Sequence, residues 1–237
     1  MTRPLRIVSV FPDVLGTYGD GGNAVVLHKR LLWRGLPAEL VRTTAGQDLP
    51  ADGDLYVLGG SEDDAQGFAV QRLRDGVLQR AVQRGAHVFA VCAGLQMLGH
   101  SFTTGTGEHL QGLGLLDLHT QRLAARVVGE VLVELGQNAS GRASSRVSGF
   151  ANHGGGSTLG PSAAPLGTVL SGSGNLGGPG GQEGAVQGGV VATYLHGPVL
   201  ARNPDLADWL LERALGQPLP DLPPGAPEAL HTHLTRQ

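Results

Sequence analysis

The segment H-V-F-A-V-C-A-G-L-Q-M-L-G, residues 87–99, constrains the fold more than any other part of the chain. Its apolar run His87–Val91 predicts a buried strand, and the run Ala93–Leu98 predicts a helix that begins immediately afterwards. The single cysteine, Cys92, therefore lies at a sharp turn between a strand and a helix, with small residues on both sides. This arrangement is typical of a nucleophile elbow, where close contact between backbones demands small neighbours.

Strand and helix patterns alternate through the first hundred residues, which predicts an α/β fold with a parallel sheet. Besides the strand at 87–91, strands are predicted at Leu5–Val10, Ala38–Val41 and Leu55–Leu58. Helices are predicted at Ala24–Arg34, with Asn23 as its N-cap, and at Ala65–Arg84.

The middle of the chain has a different character. Val127–Glu134 alternates like a strand with one exposed face. Residues 141–190 then hold 16 of the 39 glycines, among short β-like pieces at Val147–Phe150 and Thr168–Leu170. Glycine at this density favours turns and hairpin loops over helix, so we expect a β-rich insertion around residues 127–170.

Regular patterns return near the C-terminus. Val190–Leu195 predicts a strand, and Asn203 followed by Pro204 predicts the start of a helix that ends at Gly216. We expect one domain over residues 1–216 and a peripheral, proline-rich tail over residues 217–237.

Composition excludes several classes of function. The net charge of −3 offers no basic surface for nucleic acid. A single cysteine excludes an internal disulfide and a multi-cysteine metal site, and we expect neither metal nor cofactor. Lys29, the only lysine, does not lie in a Walker-type phosphate loop, so any ATP that the pathway needs is expected on another chain. With no signal peptide and no run of about 18 apolar residues, we expect a cytoplasmic protein without membrane insertion.

Two residues have the chemistry and position of a catalytic pair. Cys92 and His196 each follow a predicted strand, and reacting groups collect at the carboxyl ends of strands in open α/β sheets. We expect the helix amides to lower the pKa of the Cys92 thiol, and the amide of Ala93 to point towards an oxyanion. The alternatives are an inert buried cysteine and a histidine that merely ends a strand.

The motif V-C-A-G-L-Q-M-L-G with a distant Y-L-H-G-P resembles the CobB/CobQ-type glutamine amidotransferases of class I. Further blocks resemble, within that family, the small glutaminase subunits of lipid II isoglutaminyl synthases: F-P-D-V-L-G-T-Y-G-D-G-G-N, G-G-S-E-D-D-A-Q, G-L-G-L-L-D and G-F-A-N-H-G-G. The resemblance implies a three-layer α/β fold with a central, mostly parallel sheet. Pro198 stands where another branch of the class carries the glutamate of a catalytic triad, and the CobB/CobQ branch works with a Cys–His pair.

The resemblance also implies roles for individual residues. Cys92 and His196 match the catalytic pair, Arg126 matches an arginine that binds glutamine, and Gly60 falls where the family supplies a second oxyanion amide. Taken alone, Arg126 reads as a solvated surface residue and Gly60 as part of a turn that ends a strand.

Other positions stay open. Gln96 either contacts the substrate or forms the pocket wall. The pair Asn152-His153 is either structural or lines the route of ammonia. The family often reads G-G-R after Asn-His, whereas this chain has Gly156 in place of the arginine.

The implied function is a glutaminase subunit that hydrolyses L-glutamine to glutamate and ammonia. Its expected partner is a MurT-like Mur ligase that binds ATP and lipid II and amidates the D-glutamate α-carboxyl. One alternative is a role in cobyric acid (corrinoid) synthesis, although such synthases carry an N-terminal ATP-binding domain of which this sequence shows no sign. Another is a catalytically silent binding subunit, given the glycine at 156.

Overall fold

The computed structural model of the chain describes residues 3–137 and 146–236. The first part of the glycine-rich stretch, residues 141–145, lies outside the described residues. The strands are β1 (Leu5–Val10), β2 (Ala38–Thr43), β3 (Leu55–Leu58), β4 (His87–Val91), β5 (Ser101–Thr103), β6 (His109–Gln111), β7 (Leu118–Leu135), β8 (Arg146–Leu159), β9 (Gly167–Ser171), β10 (Gln182–Glu183), β11 (Ala185–Gln187), β12 (Val190–Thr193) and β13 (Leu195–His196). The helices are α1 (Gly21–Leu32), α2 (Asp63–Arg72), α3 (Val77–Gln83), α4 (Ala93–Leu98), α5 (Val199–Arg202), α6 (Pro204–Leu215) and α7 (Ala226–Thr235).

The central sheet has the strand order β11-β12-β4-β3-β1-β2 and is parallel except for the edge strand β11. Every residue of β3 and β12 is buried, so both faces of the sheet are covered. Helix α1 packs on β1, β2 and β3, whereas α4 packs on β4 and β12. The predicted three-layer α/β architecture with a mostly parallel sheet is therefore confirmed.

A second, largely antiparallel sheet is built around the long pair β7 and β8. Its strands β5 to β10 cover residues 101–183, and β13 joins it by pairing with β8, whereas the sequence predicted a β-rich insertion over only 127–170. The additional strands β5, β6 and β10 are two or three residues long, too short to show an alternating pattern.

The two sheets meet where β12 ends. The strand predicted at Val190–Leu195 is interrupted at Tyr194, after which β13 pairs with β8 of the second sheet. The chain thus leaves the central sheet one residue after β12 and carries His196 to the junction between the sheets.

Two helix predictions need correction. Helix α1 begins at Gly21, and the Asn23 side chain accepts a hydrogen bond from the Leu200 amide at 3.0 Å instead of capping the helix. The helix predicted at Ala65–Arg84 is divided, because Gly76 adopts the left-handed conformation with φ 78° between α2 and α3. None of the described helices is long and apolar enough to cross a membrane.

The C-terminal segment is docked on the domain and is not a peripheral tail. Helix α7 packs against α5, α6 and β8. Buried Asp208 accepts hydrogen bonds from Arg30 at 2.6 and 2.8 Å and from Arg34 at 2.6 Å, and Arg30 also reaches Glu228 of α7 at 3.2 Å. This ion cluster connects α1, α6 and α7. The domain boundary at residue 216 stays a prediction.

Asp208→Asn should lower the free energy of unfolding by about 3–5 kcal/mol, because two buried guanidinium groups lose their carboxylate. Glu228→Gln is the matched control. The Glu228 side chain is 29% exposed, so removal of its charge should lower the free energy of unfolding by less than about 1 kcal/mol. Urea unfolding of the two variants makes the comparison. Equal losses would contradict the assignment of Asp208 as the centre of the cluster.

Candidate active site

Cys92 lies at a strained turn between β4 and α4. Its φ of 53° and ψ of −105° are unusual for a residue with a side chain, and such strain is concentrated at functional sites. Its backbone amide donates to the Thr193 carbonyl of the neighbouring strand at 2.8 Å. A Cβ added at Gly94 would lie 3.2 Å from both Ala90 Cβ and the Gly59 carbonyl oxygen, so a larger residue at this turn would be crowded. The predicted elbow is present.

His196 is held by a buried carboxylate that the sequence did not reveal. Its Nδ1 lies 2.9 Å from Oδ2 of Asp20, a fully buried residue between β1 and α1. A carboxylate oxygen accepts, so Nδ1 carries the hydrogen and Nε2 holds the lone pair of the neutral ring. That Nε2 is buried and has no hydrogen-bond partner among the described residues. His196 is thereby set as a proton acceptor.

Gly60 brings the three groups together through its small size. A Cβ there would lie 2.8 Å from His196 Cε1, 3.1 Å from Asp20 Oδ2 and 3.4 Å from Cys92 Cβ. The Gly60 amide itself donates to Asp20 Oδ2 at 2.9 Å. The expectation that this amide serves as the second oxyanion donor is therefore not met in this structure, since its hydrogen is directed to the carboxylate.

The Cys92 thiol is held neutral. Burial raises its pKa to about 12, and the negative charge of Asp20 acts in the same direction. The Ala93 amide and the Arg126 guanidinium oppose this rise but do not overcome it. The Ala93 amide at the start of α4 does favour the thiolate, as predicted, but the loss of solvent is the larger effect and the net shift of the thiol pKa is upward. In this environment the neutral thiol is the favoured form of Cys92.

Cys92 opens into a cavity of about 220 Å³ between the two sheets. The register of β7 against β8 shifts between Arg122 and Val127, and this bulge brings Arg126 to the cavity wall. Arg126 donates from Nε to Asn152 Oδ1 at 2.7 Å and from Nη2 to the Tyr18 hydroxyl at 3.0 Å. The volume suits a small metabolite, since drug-sized ligands occupy about 300–1,000 Å³.

A buried hydrogen-bond network forms the back of the cavity. Gln96 accepts from Gln66 Nε2 at 2.9 Å and donates to the Tyr194 hydroxyl at 3.3 Å, and that hydroxyl also contacts Ser157 at 2.8 Å. Because both ends of the Gln96 amide have partners, the geometry favours its role in the pocket wall over a substrate contact.

Asn152 and His153 both line the cavity. The Asn152 carbonyl oxygen lies 3.9 Å from Cys92 Sγ. The His153 ring stacks on Tyr194, and its Nδ1 donates to the Gly155 carbonyl at 2.7 Å. Burial lowers the pKa of His153 to about 4, so this ring is neutral near pH 7.

Two leucine side chains occupy the space beside Gly156 that a larger residue such as arginine would need. A Cβ at this position would lie 2.5 Å from Leu123 Cδ2 and 2.7 Å from Leu176 Cδ2. Of the two leucines, Leu123 also lines the cavity beside Cys92. Among the described residues there is no group of three or more His, Cys, Asp or Glu side chains placed to hold a metal ion.

Comparison with known proteins shows the family of the chain. The family model of the CobB/CobQ-like glutamine amidotransferase domain matches residues 6–204. The chain belongs to this family. It is 32% identical to the Staphylococcus aureus lipid II isoglutaminyl synthase (glutamine-hydrolyzing) subunit GatD, over 89% of this chain and 84% of that protein. It is 28% identical to the Streptococcus pneumoniae GatD subunit, over 89% and 80% of the two chains.

Solved structures show the same fold. A crystal structure of a glutamine amidotransferase has a TM-score of 0.60 and 22% identity, over 89% of this chain and 98% of that one. A glutamine amidotransferase from Thermotoga maritima has a TM-score of 0.58 and 17% identity, over 98% and 95% of the two chains. This amidotransferase thus places Cys92 and His196 on the scaffold of its class.

Sequence reasoning missed Asp20. It lies in the block F-P-D-V-L-G-T-Y-G-D-G-G-N that supported the family resemblance, and glycines stand on both sides of it. A lone carboxylate among glycines carried no chemical signal of its own, because its partner His196 is 176 positions away in the chain.

Asp20→Asn should reduce kcat for glutamine hydrolysis by about 10²- to 10⁴-fold, because an amide no longer fixes the ring tautomer or stabilises the imidazolium. KM should change little, since Asp20 lies behind the histidine and does not line the cavity. Steady-state kinetics with separate kcat and KM values test this. An increase in KM alone would contradict the positioning role.

Alkylation of Cys92 by iodoacetamide should be at least about 100-fold slower than that of free cysteine at about pH 7.5, because only the thiolate reacts. The rate should still rise above about pH 9.5, where a free thiol with a pKa of about 8.5 has levelled off. The urea-unfolded chain is the control, with an ordinary thiol pKa. A plateau near pH 7 in the folded chain would show that the helix amides outweigh burial.

Proposed function

We propose that this chain is the glutaminase subunit of a glutamine-dependent amidotransferase, with Cys92 as nucleophile and His196 as general base and acid. The observation that carries the proposal is the constellation around Gly60. There a buried thiol, an imidazole with a free Nε2 and an orienting carboxylate converge beside a cavity of amino-acid size. Nucleophile, base and orienting group together form the minimal machinery of covalent acyl transfer.

In the first half-reaction, the Cys92 proton passes to Nε2 of His196 as the sulfur attacks the side-chain amide carbon of L-glutamine. Asp20, which is fully buried, stabilises the imidazolium that results. The Ala93 amide, which already favours negative charge on the sulfur, lies at the start of α4 and can donate to the developing oxyanion.

To complete this half-reaction, the imidazolium donates its proton to the amide nitrogen, the C–N bond breaks and ammonia leaves. A γ-glutamyl thioester remains on Cys92. In the second half-reaction, His196 takes a proton from a water molecule, and the resulting hydroxide adds to the thioester carbon. Glutamate departs as the sulfur recovers its proton from the imidazolium, which restores the resting thiol.

The acceptor that we propose for the ammonia is the D-glutamate α-carboxyl of lipid II. The support is the similarity to the two GatD subunits, which runs over most of both chains. The carboxyl must be activated with ATP, and we assign that step to a MurT-like Mur ligase as the partner subunit. Because ATP and the lipid-linked precursor meet on the cytoplasmic side of the membrane, we place the reaction there.

A second candidate acceptor is a corrinoid carboxyl. The chain is 35% identical to the cobyric acid synthase of Photorhabdus laumondii, but over 61% of this chain and only 30% of that protein. The longer and more symmetrical match to the GatD subunits favours lipid II.

The chain should co-purify with a Mur-ligase-like protein and, in that complex, amidate a D-glutamate-containing peptidoglycan precursor with glutamine and ATP. Cys92→Ala should abolish the reaction with glutamine and leave it intact with ammonium, because only the ammonia source is lost. Product mass spectrometry with the two nitrogen donors makes the measurement.

The complex with the unchanged chain controls for assembly. Loss of amidation with both donors in Cys92→Ala would indicate a damaged complex. If the proteins neither co-purify nor couple their activities, the lipid II acceptor is wrong. Full turnover of glutamine by the Cys92→Ala chain would refute the glutaminase mechanism itself.

A further inference from the structure

The cavity beside Cys92 contains one carboxylate to which the proposed mechanism gives no role. Glu62 lies at the N-terminus of α2, is exposed, and lines the same cavity as Cys92 and Arg126. Among the described residues of the cavity wall, it is the only acidic side chain. A buried or half-buried ligand with a positive charge would have no other anionic partner in this wall.

Glu62 and Arg126 lie on either side of a single hydroxyl group. The Tyr18 hydroxyl donates to Glu62 Oε1 and accepts from Arg126 Nη2, the latter at 3.0 Å. Within residues 3–137 and 146–236, neither charged side chain forms an ion pair with another residue. Two opposite charges separated by one oxygen atom match the ammonium and carboxylate groups that share the α-carbon of a free amino acid.

Both charges act on the reacting sulfur. Arg126 lowers and Glu62 raises the pKa of the Cys92 thiol, so the two side chains lie within electrostatic range of the nucleophile. Because Cys92 and both charged side chains line one cavity, a glutamine that extends its side chain towards Cys92 can place its α-carbon beside this pair.

We propose that Glu62 binds the α-ammonium group of the substrate, while Arg126 binds the α-carboxylate, and that the pair restricts the cavity to free α-amino acids. This inference rests on the proposed glutaminase function. The substrate carboxylate would replace the Tyr18 oxygen as the acceptor for Arg126, and the ammonium would replace the Tyr18 hydrogen as the donor to Glu62. A glutamine within a peptide, whose α-nitrogen is acylated and uncharged, is excluded.

The test is a cycle of protein and ligand changes in the Cys92→Ala background, where binding is measured without turnover. Calorimetry compares L-glutamine with 4-carbamoylbutanoate, which lacks the ammonium, and with 4-aminobutanamide, which lacks the carboxylate. The chain is titrated both alone and in complex with its ligase partner.

Glu62→Gln should weaken binding of L-glutamine and 4-aminobutanamide by about 10- to 100-fold, as expected for the loss of a charge-assisted contact. It should change the affinity for 4-carbamoylbutanoate less than about twofold. Arg126→Ala should show the reverse pattern, with 4-aminobutanamide unaffected. Asp64→Asn, a charge change on an exposed residue of the same helix, is the matched control and should alter none of the affinities.

Equal weakening of all three ligands by Glu62→Gln would mean a general effect on the pocket and would overturn the inference, as would unchanged binding of L-glutamine. In both cases the glutaminase proposal would stand, because the Cys92→Ala chain without the second substitution still binds glutamine. If the Cys92→Ala chain without a second substitution binds no L-glutamine, alone or in the complex, the glutaminase proposal fails and this inference fails with it.

Discussion

The active site depends on one buried carboxylate. Asp20 has no exposed surface, and a single oxygen of its side chain accepts from both the His196 imidazole and the Gly60 amide. Its other oxygen is buried without a hydrogen-bond partner among the described residues, so these two hydrogen bonds are what compensates the buried charge. They connect three segments: the loop before α1, the turn after β3 and the strand β13. In the proposed mechanism this aspartate, 176 positions from His196 in the chain, orients the imidazole.

The same burial decides the resting state of the nucleophile. Loss of solvent and the nearby Asp20 charge hold Cys92 as a thiol, with a pKa of about 12. Burial therefore favours the neutral thiol, and in the proposed mechanism the nucleophile forms when the proton of Cys92 moves to His196. A nucleophile that is silent at rest suits a subunit whose ammonia is useful only when an activated acceptor is present.

The second sheet supplies the substrate-facing half of the site. Its strand β13 positions His196, and the irregular pairing of β7 with β8 turns Arg126 towards the cavity. The other half of the site, which consists of the elbow at Cys92 and the turn at Gly60, comes from the central sheet. The proposed nucleophile, base and substrate-binding arginine thus come together at the junction of the two sheets.

By itself, the sequence determined the elements whose signals are local. The strand β4, Cys92 and the helix α4 follow one another without a gap, and Pro204 with Gly216 marks both ends of α6. Apolar periodicity and turn residues act over a few positions, so these features could be read directly. The tertiary structure alone decided the partner of His196, since Asp20 is 176 residues distant, and the direction of the Cys92 pKa shift. Hydrogen bonds between remote segments and the exclusion of solvent are properties of the packed chain, and no local pattern encodes them.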